Sequence, residues 1–340
     1  MNISAFLIGI STAFFAIFAI HILFWRKRRT HFQCVLGCIM TVWAVWSAKD
    51  LLLTFPDMYT PKVLNWIFVI DAWSALTYTV FVFEAVIPRW TTLGRLSLMS
   101  LPFVLFTLSY LVWPVQEVIY AFSAFLWCYA WTIVIIGWVK VQRHIKYVRE
   151  NFSNIDRIDV AWLKPLFAFA IVSQLAWLFV SLYASVIADI IYYISIIVLW
   201  LMVLRYSWDF HPIMVEQERE EDADMQKTTL PITEGTLEQL VEERQLYLKK
   251  DLTLSDLAKA LGTNRTYVSK YFSQVVGQTF YDYINQLRIE RVSIPMMREH
   301  PEYKIEYVAT ESGFASISTF RRAFFKLTGQ TPSLFEASEV

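Results

Sequence analysis

The chain has 340 residues, 56% hydrophobic and only 18% charged, with a mean hydropathy of +0.42. A soluble globular chain averages about 45–50% apolar and about 25% charged residues. The formal net charge is zero, yet residues 1–206 hold 15 basic and 9 acidic side chains, residues 207–340 hold 15 and 21, and all 14 Trp lie at or before Trp208. These figures exclude one uniform soluble domain and exclude a disordered chain; two bodies adapted to different solvents are joined.

In chain order, seven apolar runs are long enough to span a bilayer, at about 3–25, 32–54, 64–87, 97–114, 117–138, 162–182 and 186–205. Polar segments separate them, the longest being KVQRHIKYVRENFSNIDRID at 140–159. The start, MNISAF, has no basic n-region and no small-residue cleavage site closes the first run, so it reads as a retained span. Arg26, Lys27, Arg28, Arg29, Arg89, Arg95, Lys140, Arg143, Lys146, Arg149 and Arg157 fall in one set of alternate loops, against Lys62 alone in the other. The positive-inside bias then puts the N-terminus outside and everything after Arg205 in the cytoplasm, which predicts a multi-pass protein of the inner membrane.

Cys34, Cys38 and Cys128 all lie inside apolar runs and read as small buried hydrophobes rather than a disulfide or metal set. Ionisable residues within spans are costly, about 2.5–3.5 kcal/mol each on insertion scales, and need a reason. Lys49, Asp50 and Asp71 fall at similar depth in the outer leaflet; His21, Glu84 and Lys164 fall together toward the cytoplasmic ends. One reading is structural ion pairs. The sharper one is that Lys49, Asp50 and Asp71 form a ligand-sensing pocket with aromatic neighbours Trp46, Trp73 and Tyr78.

Residues 207–235 carry eight acidic and two basic side chains, include Pro212 and Pro231, and read as a solvated cytoplasmic linker. From 236 to 340 the pattern is helical and contains an internal repeat. Leu254-x-x-Leu257-Ala258-x-x-x-Gly262 recurs as Ile305-x-x-Val308-Ala309-x-x-x-Gly313. Val268 and Phe272 then answer to Phe320 and Phe324, and Gly277-Gln278-Thr279 to Gly329-Gln330-Thr331. Each copy reads as helix-turn-helix, with Gly ending the first helix and Asn264 or Ser316 capping the second. With the apolar residues inward, Arg265, Thr266, Ser269 and Lys270 point out in the first copy, and Ser318, Thr319, Arg321 and Arg322 in the second. Basic and hydroxyl side chains at the front of an exposed helix suit base edges and phosphates in a major groove; a solvated polar face is the bland alternative.

Residues 240–335 resemble the DNA-binding domain of the AraC/XylS family of transcription regulators. The resemblance rests on LTLSDLAKALGTNRTYVSKYF, GQTFYDYINQLRIERV and IEYVATESGFASISTFRRAFFKLTGQTP. It implies two helix-turn-helix subdomains joined by a long helix at about 280–298, reading successive major grooves. It also implies base-facing positions for Thr266, Ser269, Lys270, Ser318, Thr319 and Arg322. Three departures stand out. Pro295 falls within the joining helix and should bend or end it. Phe325 replaces a residue that is often basic. Residues 236–340 balance 13 basic against 13 acidic side chains, a weak electrostatic footprint for a DNA binder.

The expected fold is all-α: a seven-helix transmembrane bundle at 1–206, the acidic linker at 207–235, and a tandem helix-turn-helix domain at 236–340. The expected function is a membrane-embedded one-component transcription regulator. Its partners would be double-stranded DNA, the lipid bilayer, a small-molecule or membrane signal, and a second copy of the chain; no cofactor is called for. With five His, no Gly-rich phosphate loop and no nucleophile paired with His, the chain does not read as an enzyme. The competing reading is a transporter or sensor whose C-terminal domain binds a protein.

Overall fold

The computed structural model describes residues 3–26, 29–58, 60–169, 171–172, 186–208, 210–213 and 234–339. Among them every regular element is helical, apart from one isolated antiparallel bridge between Phe152 and Thr253. The chain divides into two compact units, Met1–Gln142 with Val160–Ile213, and Arg143–Asp159 with Met214–Val340.

In the first unit, α1 (Ile3–Ile20) continues into a π turn at His21–Trp25. Thr30 starts α2 (His31–Lys49) with a capping box, its hydroxyl accepting from the Gln33 N–H while the Gln33 side chain accepts from the Thr30 N–H. Thr60 caps α3 (Pro61–Ala72), whose first-turn proline has no N–H to leave unpaired. Trp73 interrupts the helix before α4 (Ser74–Val86), and Thr92 caps α5 (Leu93–Val112). Then come α6 (Gln116–Asn151) and α7 (Val186–Ser207).

Among the described residues, five stretches are long and apolar enough to cross a membrane: Ala5–Trp25, His31–Leu52, Pro61–Val86, Leu93–Val112 and Gln116–Asn151. The shortest, at 20 residues, would be about 30 Å long. Of the sixth expected span, residues 163–169 and 171–172 are helical, and 170 and 173–182 lie outside the described residues. The seventh corresponds to α7, whose first residue is Val186. The linker expected at 207–235 lies largely outside the described residues too, at 209 and 214–233.

Packing explains which faces turn inward. α1 lies against α2 and α7, and α2 against α4. A second cluster joins α3, α5 and α6 through Val69, Ala72, Phe103, Tyr110, Ile119 and Phe122. Large apolar side chains also cover the outside: Leu98 is 72% exposed and Ile135 60% exposed. Such a surface is mismatched to water and matched to lipid. The cysteine expectation is corrected as well: Cys38 and Cys128 are exposed and Cys34 is half-buried, because a helix that is apolar on every side need not turn each of its residues inward.

A second correction concerns 140–159. These residues are not a loop throughout, since α6 runs on to Asn151. The stretch contains no Gly or Pro up to that point, buries Ile145 and Val148, and adds the i,i+4 pair Lys146–Glu150. Its polarity marks departure from apolar surroundings, not the end of the helix.

The second unit begins with those last turns of α6 and resumes at α8 (Glu234–Glu243). It continues with α9 (Leu254–Ala260), α10 (Arg265–Tyr271), α11 (Phe280–Arg288), α12 (Ile294–Glu299), α13 (Ile305–Glu311), α14 (Ile317–Thr328) and α15 (Pro332–Glu339). There are two cores. Leu254, Leu257, Ala258, Val268 and Phe272 pack with Phe280, Ile284 and Leu287 of α11. Val308, Ala309, Phe314, Phe320 and Phe324 pack with Ile289 and Met297. The joining helix thus lends one end to each core. Pro295 neither breaks nor ends it: a π turn at Ile289–Ser293, closed by the Ile294 N–H on the Ile289 carbonyl, widens the helix just ahead of the proline.

Candidate nucleic-acid interface and signal site

The repeat read in the sequence is a repeat of structure. Gly262 and Gly313 both adopt left-handed backbone, with φ +66° and +85°, which turns the chain between α9 and α10 and between α13 and α14. At Gly313 the constraint is doubled, since an added Cβ would lie 2.8 Å from the Leu248 carbonyl oxygen. The expected caps are in place: the Asn264 side chain accepts from the Tyr267 N–H, and Ser316 Oγ from the Thr319 N–H. The terminal threonines of the two GQT triplets also act alike, Thr279 accepting from the Asp282 N–H and Thr331 from the Leu334 N–H.

The eight outward residues divide. Thr266, Lys270, Ser318, Arg321 and Arg322 are exposed and Ser269 is half-buried. Arg265 and Thr319, expected outside, are only 7% and 2% exposed. The cause is the segment 143–159. The Arg265 guanidinium donates to the Tyr147 hydroxyl at 2.8 Å and lies over the Tyr147 ring. Thr319 Oγ1 donates to the Asp156 carboxylate, and Arg322 reaches the same carboxylate at 3.5 Å. Sequence reasoning missed these contacts because they join positions more than 100 residues apart, with no local pattern to announce them.

Residues 257–338 match the family of helix-turn-helix domains. The C-terminal unit carries an AraC-type helix-turn-helix domain. The curated relatives agree. An uncharacterized HTH-type transcriptional regulator of Staphylococcus aureus (strain COL) is 28% identical over 104 residues, covering 31% of this chain and 14% of that protein. The Msm operon regulatory protein of Streptococcus mutans serotype c is 31% identical over 84 residues, 25% of this chain and 30% of the relative. The chain therefore spans well under half the length of the relatives it matches. No solved structure matches the chain.

The AraC-type domain is bound to the 143–159 segment by a buried cation. Arg288 is 1% exposed and donates from Nε to the Tyr247 carbonyl at 2.6 Å, and from Nη2 to that of Lys249 at 2.8 Å. It donates further to Asn285 Oδ1 and to the Ser153 carbonyl and hydroxyl. Burial pushes its guanidinium down to about 10, so it stays charged at neutral pH. The Ser153 N–H donates to the Leu252 carbonyl at 3.0 Å, and Asn154 donates to Asp251. Burial also pushes the Tyr281 hydroxyl above its ordinary value, with Arg322 pulling it down and Asp156 pushing it up. At α9, burial raises the Asp256 carboxyl, but bonds from Lys249 and Thr253 outweigh it and hold the group below the usual range.

In the first unit, Lys49, Asp50 and Asp71 do come together. Lys49 Nζ pairs with both carboxylates, at 2.7 Å from Asp71 Oδ1. Asp71 lies two residues before the Trp73 interruption and lines a cavity of about 210 Å³. Trp43, Ser74, Tyr78, Thr79 and Trp200 share that lining. The rings form a packed set, Tyr78 stacked on Trp200 at 5.8 Å and Trp43 edge-on to both. Of the aromatic neighbours expected, Tyr78 is in place. Trp46 instead packs edge-on to Trp43, and Trp73 turns to Thr107 and Phe103. Trp43 and Trp200 were not singled out from the sequence, since nothing local distinguishes them from the other tryptophans.

The second polar group does not assemble as expected. Buried Glu84 accepts from the Arg89 and Thr91 N–H groups and the Thr91 hydroxyl, and faces His31 at 2.7 Å. His21 stacks on Trp208, while Lys164 lies over the Trp138 ring. Equal depth along different helices carries no information about which side of each helix a residue occupies.

Proposed function

We propose that the chain is a membrane-embedded one-component transcription regulator. Its first unit spans the inner membrane with the N-terminus outside, and the AraC-type domain reads DNA on the cytoplasmic side. The observation that carries this reading is the union, in one chain, of helices of spanning length, five among the described residues, with a tandem helix-turn-helix domain. The loop charges support the orientation. The 236–340 region reads DNA through Arg265, Thr266, Ser269, Lys270, Ser318, Thr319, Arg321 and Arg322, as a homodimer on paired sites. Modest intrinsic affinity follows from its balanced charge, along with steep salt dependence.

The signal, a small molecule or a membrane component, enters at Lys49, Asp50, Asp71 and the aromatic cavity. In many transporters, discontinuous helices beside a cavity form the binding site. A typical coupling of about 1–3 kcal/mol between signal and DNA is sufficient to switch output. Substituting both Lys270 and Arg322 by Ala should abolish DNA retention while membrane insertion persists. If DNA retention survives, the domain serves protein interaction instead. A reporter fused after Val340 should respond as cytoplasmic, and an exterior response would overturn the reading.

A further inference from the structure

Segment 143–159 belongs to the same compact unit as the AraC-type domain, and its contacts fall into two sets. The first set is an anchor. Phe152 bridges Thr253, the Ser153 N–H donates to the Leu252 carbonyl, and buried Arg288 holds Ser153. None of these residues is on a groove-reading helix. The second set is a latch. Tyr147 holds Arg265 at the start of α10, and Asp156 holds Thr319 and Arg322 at the start of α14. One carboxylate and one phenol thus engage the front of both reading helices at once. A carboxylate that accepts from a hydroxyl and pairs with an arginine offers the same chemistry as a phosphate oxygen.

We propose that 143–159 is an autoinhibitory clasp on the DNA-reading face, with Asp156 standing in for a DNA phosphate. The inference rests on the reading of α10 and α14 as DNA-binding helices. While the latch is shut, Arg265 and Thr319 are covered and the Arg322 charge is partly neutralised. DNA and the latch therefore compete for the same side chains. The anchor keeps the segment attached, so release frees the reading face without unfolding the domain. The segment is continuous in sequence with α6 on one side and with the membrane-type residues after Val160 on the other. A signal that shifts either of these is transmitted to the latch along the chain.

The test uses the full chain in nanodiscs and a fluorescein-labelled duplex of mixed sequence, about 40 base pairs, long enough for two successive grooves on each of two copies. Binding is read by anisotropy at low salt. Asp156→Asn removes only the charge and Asp156→Ala the whole acceptor; Tyr147→Phe removes the phenol. The Asp156→Ala, Tyr147→Phe double variant should bind about five- to tenfold tighter than the parent, the low end of typical couplings, with Asp156→Asn between them. Hydrogen exchange of the parent gives a second reading that does not depend on any variant folding. The amides of Ile158 and Asp159, which donate to the Ile155 carbonyl, should exchange faster when duplex is added.

Unchanged or weaker binding by the double variant overturns the clasp, as does unchanged or slower exchange at those amides. Arg321→Ala separates the two readings, because Arg321 is exposed on α14 and has no part in the latch. If Arg321→Ala weakens binding but the latch variants equal the parent, the clasp alone fails. If neither parent nor released chain binds duplex, the DNA reading fails and the clasp with it.

Discussion

Lys49 Nζ lies 2.7 Å from Asp71 Oδ1 while also pairing with Asp50, so one ammonium ties the end of α2 to the last turn of α3. Removing the ammonium leaves two carboxylates facing each other, whereas removing Asp71 leaves a neutral pair. Asp71→Asn should therefore cost about 1.5–3 kcal/mol, the scale of one hydrogen bond to a charged group. Lys49→Met should cost more, approaching the about 3–5 kcal/mol of a broken buried pair, with a discount because the Asp71 side chain keeps 40% of its exposure. Thermal melts of the detergent-solubilised chain give the order directly.

The two turn glycines should respond unequally to the same substitution. Gly262 needs left-handed backbone but has open space around it, so Gly262→Ala should cost about 1–2 kcal/mol. At Gly313 the new Cβ would also meet the Leu248 backbone at 2.8–3.0 Å, which cannot swing aside as a side chain would. Gly313→Ala should cost at least about 3 kcal/mol, as overpacking adds to backbone strain. Urea unfolding followed at the second unit measures both.

Arg288 is a fully buried cation whose donors satisfy several backbone carbonyls. Arg288→Met should cost about 3–5 kcal/mol, because the Tyr247, Lys249 and Ser153 carbonyls lose their donor together. Its pH signature is also defined. The folded value of about 10 lies below the ordinary guanidinium value, so the folded chain holds fewer protons between them and stability rises with pH across that window. Below the window both states are charged. The difference between parent and variant should be flat from about pH 6 to 9, and a slope there would contradict the assignment.

Asp256 gives the opposite window. Its folded carboxyl lies below the ordinary value of 3.8, held by Lys249 and by the capping box with Thr253. The stability it adds is complete above the unfolded value and is lost as pH falls through the folded one. Parent and Asp256→Asn should thus differ at neutral pH and converge in acid, while Thr253→Ala, which removes the cap, costs about 1 kcal/mol. Exchange rates of the α9 amides at several pH values report the trend.

The parts of this molecule legible in its sequence are those written at short range. Leu257-Ala258 and Gly262 repeat as Val308-Ala309 and Gly313, and that spacing was enough to place two turns and two caps. Pro295 was legible only as a disruption, because the sequence does not show that a π turn can absorb a proline. Here Ser293 supports it, its hydroxyl lying 3.1 Å from the Arg288 carbonyl oxygen and 2.7 Å from the Ser312 hydroxyl. In the apolar half, Lys49 and Asp71 were found by shared depth, but the same reasoning misjudged His21, Glu84 and Lys164 because rotation about each helix is decided by packing. Arg265 and Thr319 show the same limit: their surroundings come from Tyr147 and Asp156, far away in the chain.

The π turn at Ile289–Ser293 has an angular consequence. An i→i+5 turn needs more residues than an α turn to come round, so each of its residues advances by less than the about 100° of ordinary α winding. That one widened turn sits between the two cores, so the setting of the second core against the first depends on it. Deleting a single residue there would return the turn to ordinary α winding, leaving both modules folded while changing how one is set against the other.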